Sequence, residues 1–321
     1  MTPTAPSAAG VRTPWEALPH PVRDAVAQLL GAPVTEAVTQ SGGFSPGVAA
    51  RVTTAERHRA FVKAVSGDTN PHSPALHRRE ARNAAALPPG TPSPRLLGSY
   101  DDGTWVALVF EDVDGRQPHV PWRAHELKRV LHAVADLGRA LTPSSVAAPP
   151  VGEHLAEHFS GWERLIGAAD SDVSALDPWV ARNLRRLAEL SAPWAEFASG
   201  DTLAHGDLRA DNLLLTADDG VVFVDWPHAV RAAPWFDLLV MLPCVRAQGG
   251  PDPDEVFTSH LLGRDADPKG VTATLAAVAG YFVQQSLQPD PPGLPTIRAF
   301  QRAQGDAAVE WLRKRLGPGP S

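Results

Sequence analysis

The chain changes texture once, and that change limits what it can fold into. Between Val34 and Val113, short β-prone runs follow one another with a single helical stretch between them. From Trp122 onward, most apolar residues fall at helical spacing. Such a chain makes neither one continuous sheet nor one bundle; it must build a small sheet-bearing part and a larger helical part. VTEAVTQ, VAARVTT and AFVKAV, separated by SGGFSPG and AERHR, read as three consecutive antiparallel strands. PHSPALHRREARNAAALP reads as a helix entered near Ser73 or Pro74 and stopped before Pro88 and Pro89. RLLGSY and TWVALVFEDV add two strands, with DDG as the turn between them.

The expected fold class is therefore α+β. A five-stranded antiparallel sheet plus helix occupies residues 13–112, a linker covers 113–121, and a mostly helical lobe spans 122–321. A preceding helix over 15–30 ends at Gly31. Residues 1–12, rich in Pro, Thr, Ser and Ala, are expected to be a disordered tail. In the second half, amphipathic helices are expected over 122–141, 154–168 and 178–198, and further helices over 234–245, 253–262, 272–287 and 296–316. Two short apolar segments, LAHGDLRADNLLLT and VVFVDWPH, interrupt them.

Composition narrows the function classes. The chain has 321 residues, enough for two packed lobes, with 43% hydrophobic and 20% charged residues. No apolar run reaches the roughly 20 residues needed to cross a bilayer, and no basic-then-apolar leader opens the sequence. A net charge of −7 opposes general nucleic-acid binding. The one cysteine, Cys244, makes neither an internal disulfide nor a structural zinc site, and its apolar surroundings suggest an inert buried thiol. A cytoplasmic protein fits that usage; oligomeric state is left open.

The chemically informative stretch is His205-Gly206-Asp207-Leu208-Arg209-Ala210-Asp211-Asn212, followed by Val224-Asp225-Trp226. Transfer of a phosphoryl group to an alcohol needs a carboxylate that orients the hydroxyl and takes its proton. It also needs oxygen donors for a hard cation such as Mg2+. Asp207, Asn212 and Asp225 offer one carboxylate for the hydroxyl and two oxygen donors for metal. Singly, an Asp or Asn in a loop is more often a turn former or cap. The set carries the argument because more of the same order stands upstream.

HGDLRADN followed by VDW resembles the catalytic loop and metal-binding segment of aminoglycoside-phosphotransferase-like enzymes, kinase-fold relatives of choline, homoserine and protein kinases. The spacing from Asp207 to Asn212 is that of the kinase loop. The resemblance implies a bilobal kinase-like fold, ATP or GTP as co-substrate, Mg2+, and a small hydroxylated acceptor. It implies Asp207 as catalytic base, Asn212 and Asp225 as magnesium ligands, and His205 as a brace of the loop. Lys63, in the strand AFVKAV, stands where this fold keeps the lysine that meets the phosphates, with Glu80 as its candidate helix partner. An edge-strand charge and a solvated helix face are the plain alternatives for these two.

Gly42, Gly43, Ser45 and Gly47 in SGGFSPGVAARV are the candidate nucleotide-covering turn, although the spacing is not GxGxxG and Pro46 departs from the family's small polar residue. Backbone around Glu111 to Val113 is the candidate hinge that meets the purine edge. Asp237 is expected to hold the catalytic-loop backbone, a structural duty. No GxxxxGK[ST] occurs, which removes the P-loop kinases.

The acceptor is less legible. Residues 251–321 hold eight acids against seven bases, which sets no field for a polycation. Asp252-Pro253-Asp254-Glu255 reads as a helix start more readily than as an acceptor site. A neutral or weakly charged hydroxylated acceptor is expected, with antibiotics or other natural products as candidates. Trp235, Phe257 and Tyr281 are candidate wall residues, although aromatics at helical spacing are usually core. The competing reading is a pseudoenzyme that binds nucleotide or a partner without turnover. Retention of Lys63, Asp207, Asn212 and Asp225 together speaks against it.

Overall fold

The computed structural model describes residues 10–44, 46–168 and 176–317. Ser45 and residues 1–9 of the expected tail lie outside the described residues. The N-terminal part opens with helix α1 (His20–Leu30), which begins later than expected because Pro19 and Pro21 mark its start; Trp15–Ala17 forms a separate turn of 3-10 helix. Strands β1 (Val34–Thr39), β2 (Val48–Thr54), β3 (Arg59–Ser66), β4 (Leu96–Asp101) and β5 (Trp105–Glu111) form one sheet in the order β1-β2-β3-β5-β4, every neighbour antiparallel. Helix α2 (Ser73–Ala86) joins β3 to β4.

Alternation along β3 explains both faces of the sheet. Ala60, Val62 and Ala64 join Val22, Val26 and Val109 in the core beneath α1. Phe61 and Val65 point the other way, into a core shared with Ala81 and Ala84 of α2. Lys63 has the parity of Phe61 and Val65, which puts it on the α2 side.

Strand β6 (Gly115–Arg116) lies in the linker and pairs with β8 (Leu213–Thr216), which pairs with β9 (Val221–Phe223). The linker is thus tied to the segment that follows Asn212. Strands β7 (Thr202–Ala204) and β10 (Val230–Ala232) form a second small ladder. Around these pack α3 (Ala124–Ala140), α4 (Val151–His154), α5 (Gly161–Ile166), α6 (Pro178–Ser191), α7 (Trp194–Phe197), α8 (Phe236–Ala247), α9 (Pro253–Ser259), α10 (Pro268–Ser286) and α11 (Ile297–Leu316). Their shared core includes Trp162, Leu203, Phe223, Trp226, Phe236, Leu239 and Trp311. No helix among the described residues is long and apolar enough to cross a membrane.

Two expected helices are broken. The run 154–168 splits into α4, which ends at His154, turns over 155–160, and α5, whose first residue Gly161 meets α10 backbone to backbone: a Cβ there would sit 2.1 Å from the Gly280 carbonyl oxygen. The run 178–198 breaks between α6 and α7 at Pro193, which cannot continue the helical ladder.

Candidate active site

The catalytic segment is fixed by its backbone before any side chain enters the cleft. Leaving β7, the chain turns at Gly206, whose φ of +80 suits glycine and where a Cβ would lie 2.4 Å from the His228 carbonyl oxygen. Asp237, in the first turn of α8, accepts the amides of His205 (2.7 Å) and Gly206 (2.9 Å). Burial pushes the Asp237 carboxyl up to about 6. Fully buried His205 has Nε2 2.9 Å from the Val224 carbonyl oxygen, while its Nδ1 accepts the Asp207 amide at 3.3 Å. Burial lowers this imidazole to about 4. Neutral, with its proton on Nε2, it satisfies both bonds and ties the loop to the residue before Asp225. Its ring packs on Trp226, centroids 4.6 Å apart.

Asp207, Asn212 and Asp225 then converge. The Asn212 side-chain amide donates to the Asp207 carbonyl at 2.8 Å and lies 3.3 Å from Asp207 Oδ2, so its NH2 end is committed and its Oδ1 is the end left to face a cation. Asp225 adopts φ 70, a left-handed conformation that Asp tolerates better than most residues and that clusters at functional sites. Helix α2 grips the next residue: Asn83 Nδ2 donates to the Trp226 carbonyl at 2.7 Å.

Lys63 Nζ lies 2.6 Å from Glu80 Oε1 and 2.9 Å from Asp225 Oδ1, which joins sheet, helix and catalytic region at one ammonium. Burial opposes the lysine's charge, but Asp225 and Glu80 together hold its pKa above the ordinary value. The two carboxylates diverge. Burial outweighs the lysine at Glu80 and raises it, whereas at Asp225 burial is overcome by Lys63 and the carboxyl is held low. Of the two, the aspartate is the better anion.

At Asp207, burial pushes the carboxyl up to about 7 against the opposing charge of Arg209. Arg209 Nη1 lies 2.6 Å from Asp207 Oδ2, and Nη2 lies 3.0 Å from Asp211 Oδ2. Its guanidinium also lies over Phe44 of the glycine turn (5.5 Å) and Phe300 of α11 (6.0 Å), whose rings touch edge to face at 4.9 Å.

Two cavities meet at this cluster. One, of about 390 Å3, runs from Gly42 and Gly43 past Lys63 and Asn212 to Glu111 and Val113. Gly42, Gly43 and Gly47 have φ of 106, 76 and 110, a turn that only glycine forms readily. The hinge backbone is partly committed within the chain. The Glu111 amide donates to the Arg95 carbonyl (3.0 Å), its side chain pairs with Arg95, and the Val113 carbonyl already accepts from Arg51 at 2.8 Å. The other cavity, of about 370 Å3, opens on the far side of Asp207 and Asp225. Apart from the cluster itself (Glu80, Asp207, Arg209, Asp225), no Asp, Glu, Lys or Arg lines it among the described residues. Its polar wall is Asn70, His72, Ser73, His77, His158, His228, Tyr281, Gln301 and Gln304, the rest being largely apolar. Burial lowers His158, and lowers His228 to about 3, so both imidazoles are neutral.

Trp235 and Phe257 do not reach this cavity. They pack against one another in the core, whereas Tyr281 does line the wall. The Asp252 cluster is likewise structural: Asp252 caps α9 through the amides of Asp254 and Glu255, and Lys314 and Arg315 of α11 pair with Asp252 and Asp254. Arg209, Asp211 and Asn83 were not singled out from sequence. For Arg209 and Asp211 the signal was present, since both lie inside HGDLRADN; Asn83 had none beyond its helix.

A family model described as "Phosphotransferase enzyme family" matches residues 37–281. A thermostable mutant of aminoglycoside phosphotransferase APH(4)-Ia, in its apo form, is 15% identical and superposes with a TM-score of 0.59 over 92% of this chain and 100% of its own. An aspartate-to-alanine variant of that mutant, in ternary complex with ADP and hygromycin B, gives 14% and 0.58 over 92% and 99%. Choline kinase LicA from Streptococcus pneumoniae gives 15% and 0.59 over 90% and 98%. These three share its kinase-like fold. No curated protein sequence matches the chain.

Proposed function

Because this chain belongs to the phosphotransferase enzyme family, we propose that it moves the γ-phosphoryl group of ATP or GTP to a hydroxyl of a small molecule. The observation that carries the reading is the convergence of Asp207, Asn212 and Asp225 between two cavities, with Lys63 bonded to Asp225. The cavity between the glycine turn and the linker takes the nucleotide, and the cavity beyond Asp207 takes the acceptor.

Among the described residues, no group of three or more His, Cys, Asp or Glu side chains could hold a metal unaided. That suits Mg2+, which takes one or two protein oxygens and completes its shell with water and phosphate. Asp225 and Asn212 Oδ1 fit as those oxygens, and the ion when bound would neutralise charge on the phosphates. Lys63 offers its remaining N–H to phosphate while its two carboxylates fix its position. Asp207 accepts a hydrogen bond from the acceptor hydroxyl and orients its oxygen toward the γ-phosphorus. As the new O–P bond forms and the bond to the β-phosphate oxygen breaks, the hydroxyl proton passes to Asp207. A carboxyl raised to about 7 takes a proton more readily than an ordinary aspartate would.

The acceptor is a hydroxylated molecule that is neutral or weakly charged and substantially apolar, because the cavity walls beyond the Asp207 cluster offer imidazole, hydroxyl, phenol and amide groups rather than a ring of acids. A phosphate-transfer screen against hydroxylated metabolites and antibiotics, read by a mass gain of one phosphoryl group, tests both parts. Transfer to a neutral acceptor that disappears with Asp207→Asn is the expected result. No transfer and no Asp207-dependent nucleotide hydrolysis would leave the pseudoenzyme instead.

A further inference from the structure

Residues 11–13, assigned from sequence to the tail and its boundary, are clipped between the two lobes. Val11 donates its amide to the Gly293 carbonyl just before α11 (2.9 Å), Gly47 donates to Val11 (3.2 Å), and Thr13 donates to Gly47 (3.0 Å). Arg12 pairs in parallel with Gly47 of the glycine turn. These bonds hold one side of the strap to the roof of the nucleotide cavity and the other to the C-terminal lobe. Between the anchors, the Arg12 side chain enters the same cavity as Lys63, Asn212 and Asp225. Its guanidinium donates to the Gly42 carbonyl, and a Cβ on Gly43 would stand 3.2 Å from Arg12 Nη2. Gly43 leaves room for the guanidinium as well as making the turn.

Burial works against the charge of Arg12, and the groups that favour it are Asp225 and Asp211, on the metal side of the cleft. A guanidinium delivered there on an anchored strap is a fork of donors facing the place where the phosphates of a nucleotide would come to rest. Resting on the phosphotransferase reading above, we propose that Arg12 is a phosphate-binding residue that holds the terminal phosphates of the nucleotide from the glycine-turn side. Lys63 is already shared between two carboxylates. Arg12 supplies a further cation on the glycine-turn side, from outside the strands and helices of the sheet-bearing lobe. The opposite role is a plug, in which Arg12 stands where the metal must go and has to withdraw. The two roles predict effects of opposite sign.

The test is calorimetric titration of the full chain with Mg2+ and the β,γ-imido analogue of ATP, or of GTP if the wild type prefers it. The corresponding nucleoside is titrated in parallel. Arg12→Ala is expected to weaken the imido nucleotide about tenfold or more and to leave the nucleoside within about twofold, with Arg12→Lys recovering part of the loss. Unliganded melting temperatures should coincide. Unchanged or tighter nucleotide binding in Arg12→Ala overturns the proposal, as does an equal loss for nucleoside and nucleotide, which would mean a merely structural strap. If the wild type binds neither imido nucleotide, the phosphotransferase reading falls and this one with it.

Discussion

Asp207 is held between two demands: burial favours its neutral form, and Arg209 favours its anion. An amide at this position keeps the shape and removes the proton acceptor. Asp207→Asn should therefore bind Mg-nucleotide as the wild type does and lose turnover by about a thousandfold, read as kcat against Kd. Asp225→Ala should lose the metal-dependent part of nucleotide affinity and free the Lys63 ammonium from one partner; a variant with unaltered Mg2+ dependence would remove Asp225 from the metal site. His205 gives a stability signature. Its folded pKa, about 4, lies below the ordinary 6.5, so between these values the unfolded chain binds the extra proton. The stability this histidine contributes is thus complete above about pH 6.5 and lost as pH falls toward 4. Denaturant titrations at pH 7.5 and 4.5 should show the wild type losing more stability than His205→Asn over that interval. Equal losses would mean that the imidazole is not kept neutral by burial.

Elements decide what the residues can reach. Strand β3 delivers Lys63 by parity alone, and α2 meets it with Glu80 and, one turn later, holds Trp226 through Asn83. One helix therefore positions both the lysine and the segment after Asp225. In the helical lobe, α5 sits on α10 at Gly161 and Gly280, and Trp162 Nε1 donates to the Ala276 carbonyl at 2.7 Å across the same contact. Gly161→Ala would force two backbones apart and is expected to cost about 3 kcal/mol of unfolding free energy, seen as a lower midpoint in denaturant. Amphipathic spacing over 154–168 misled because periodicity records which residues are apolar and not where the chain turns between α4 and α5.

At the scale of the whole molecule, contacts besides the linker and the Lys63–Asp225 pair tie the two lobes together around the cleft. Phe44 meets Phe300, Val11 meets Gly293, and Asn70 Nδ2 lies 3.4 Å from the Pro292 carbonyl. A nucleotide bound within this ring stabilises the folded form as a whole, by about 2.7 kcal/mol at a hundredfold excess over Kd. Thermal melting with and without Mg-nucleotide should show a clear rise, and no rise would count against a nucleotide site. The net charge of −7 acts at long range only on a charged acceptor. For the neutral acceptor expected here, KM should stay within about twofold between 50 and 500 mM salt. A steep increase would point to a polycation.

What the sequence determined by itself was local. Alternation and turn residues specified five antiparallel strands, and the polar block His205–Asn212 with Asp225 stood out as the candidate site, because spacing along the chain governs both. What only the tertiary structure decided was proximity between distant segments. It brought Arg12 into the cavity beside the glycine turn, set Arg209 between Phe44 and Phe300, sent Trp235 and Phe257 to the core, and left the second cavity without acids beyond the Asp207 cluster. Those outcomes depend on how two lobes close on each other, and nothing in a residue's immediate neighbours along the chain encodes which distant surface it will meet.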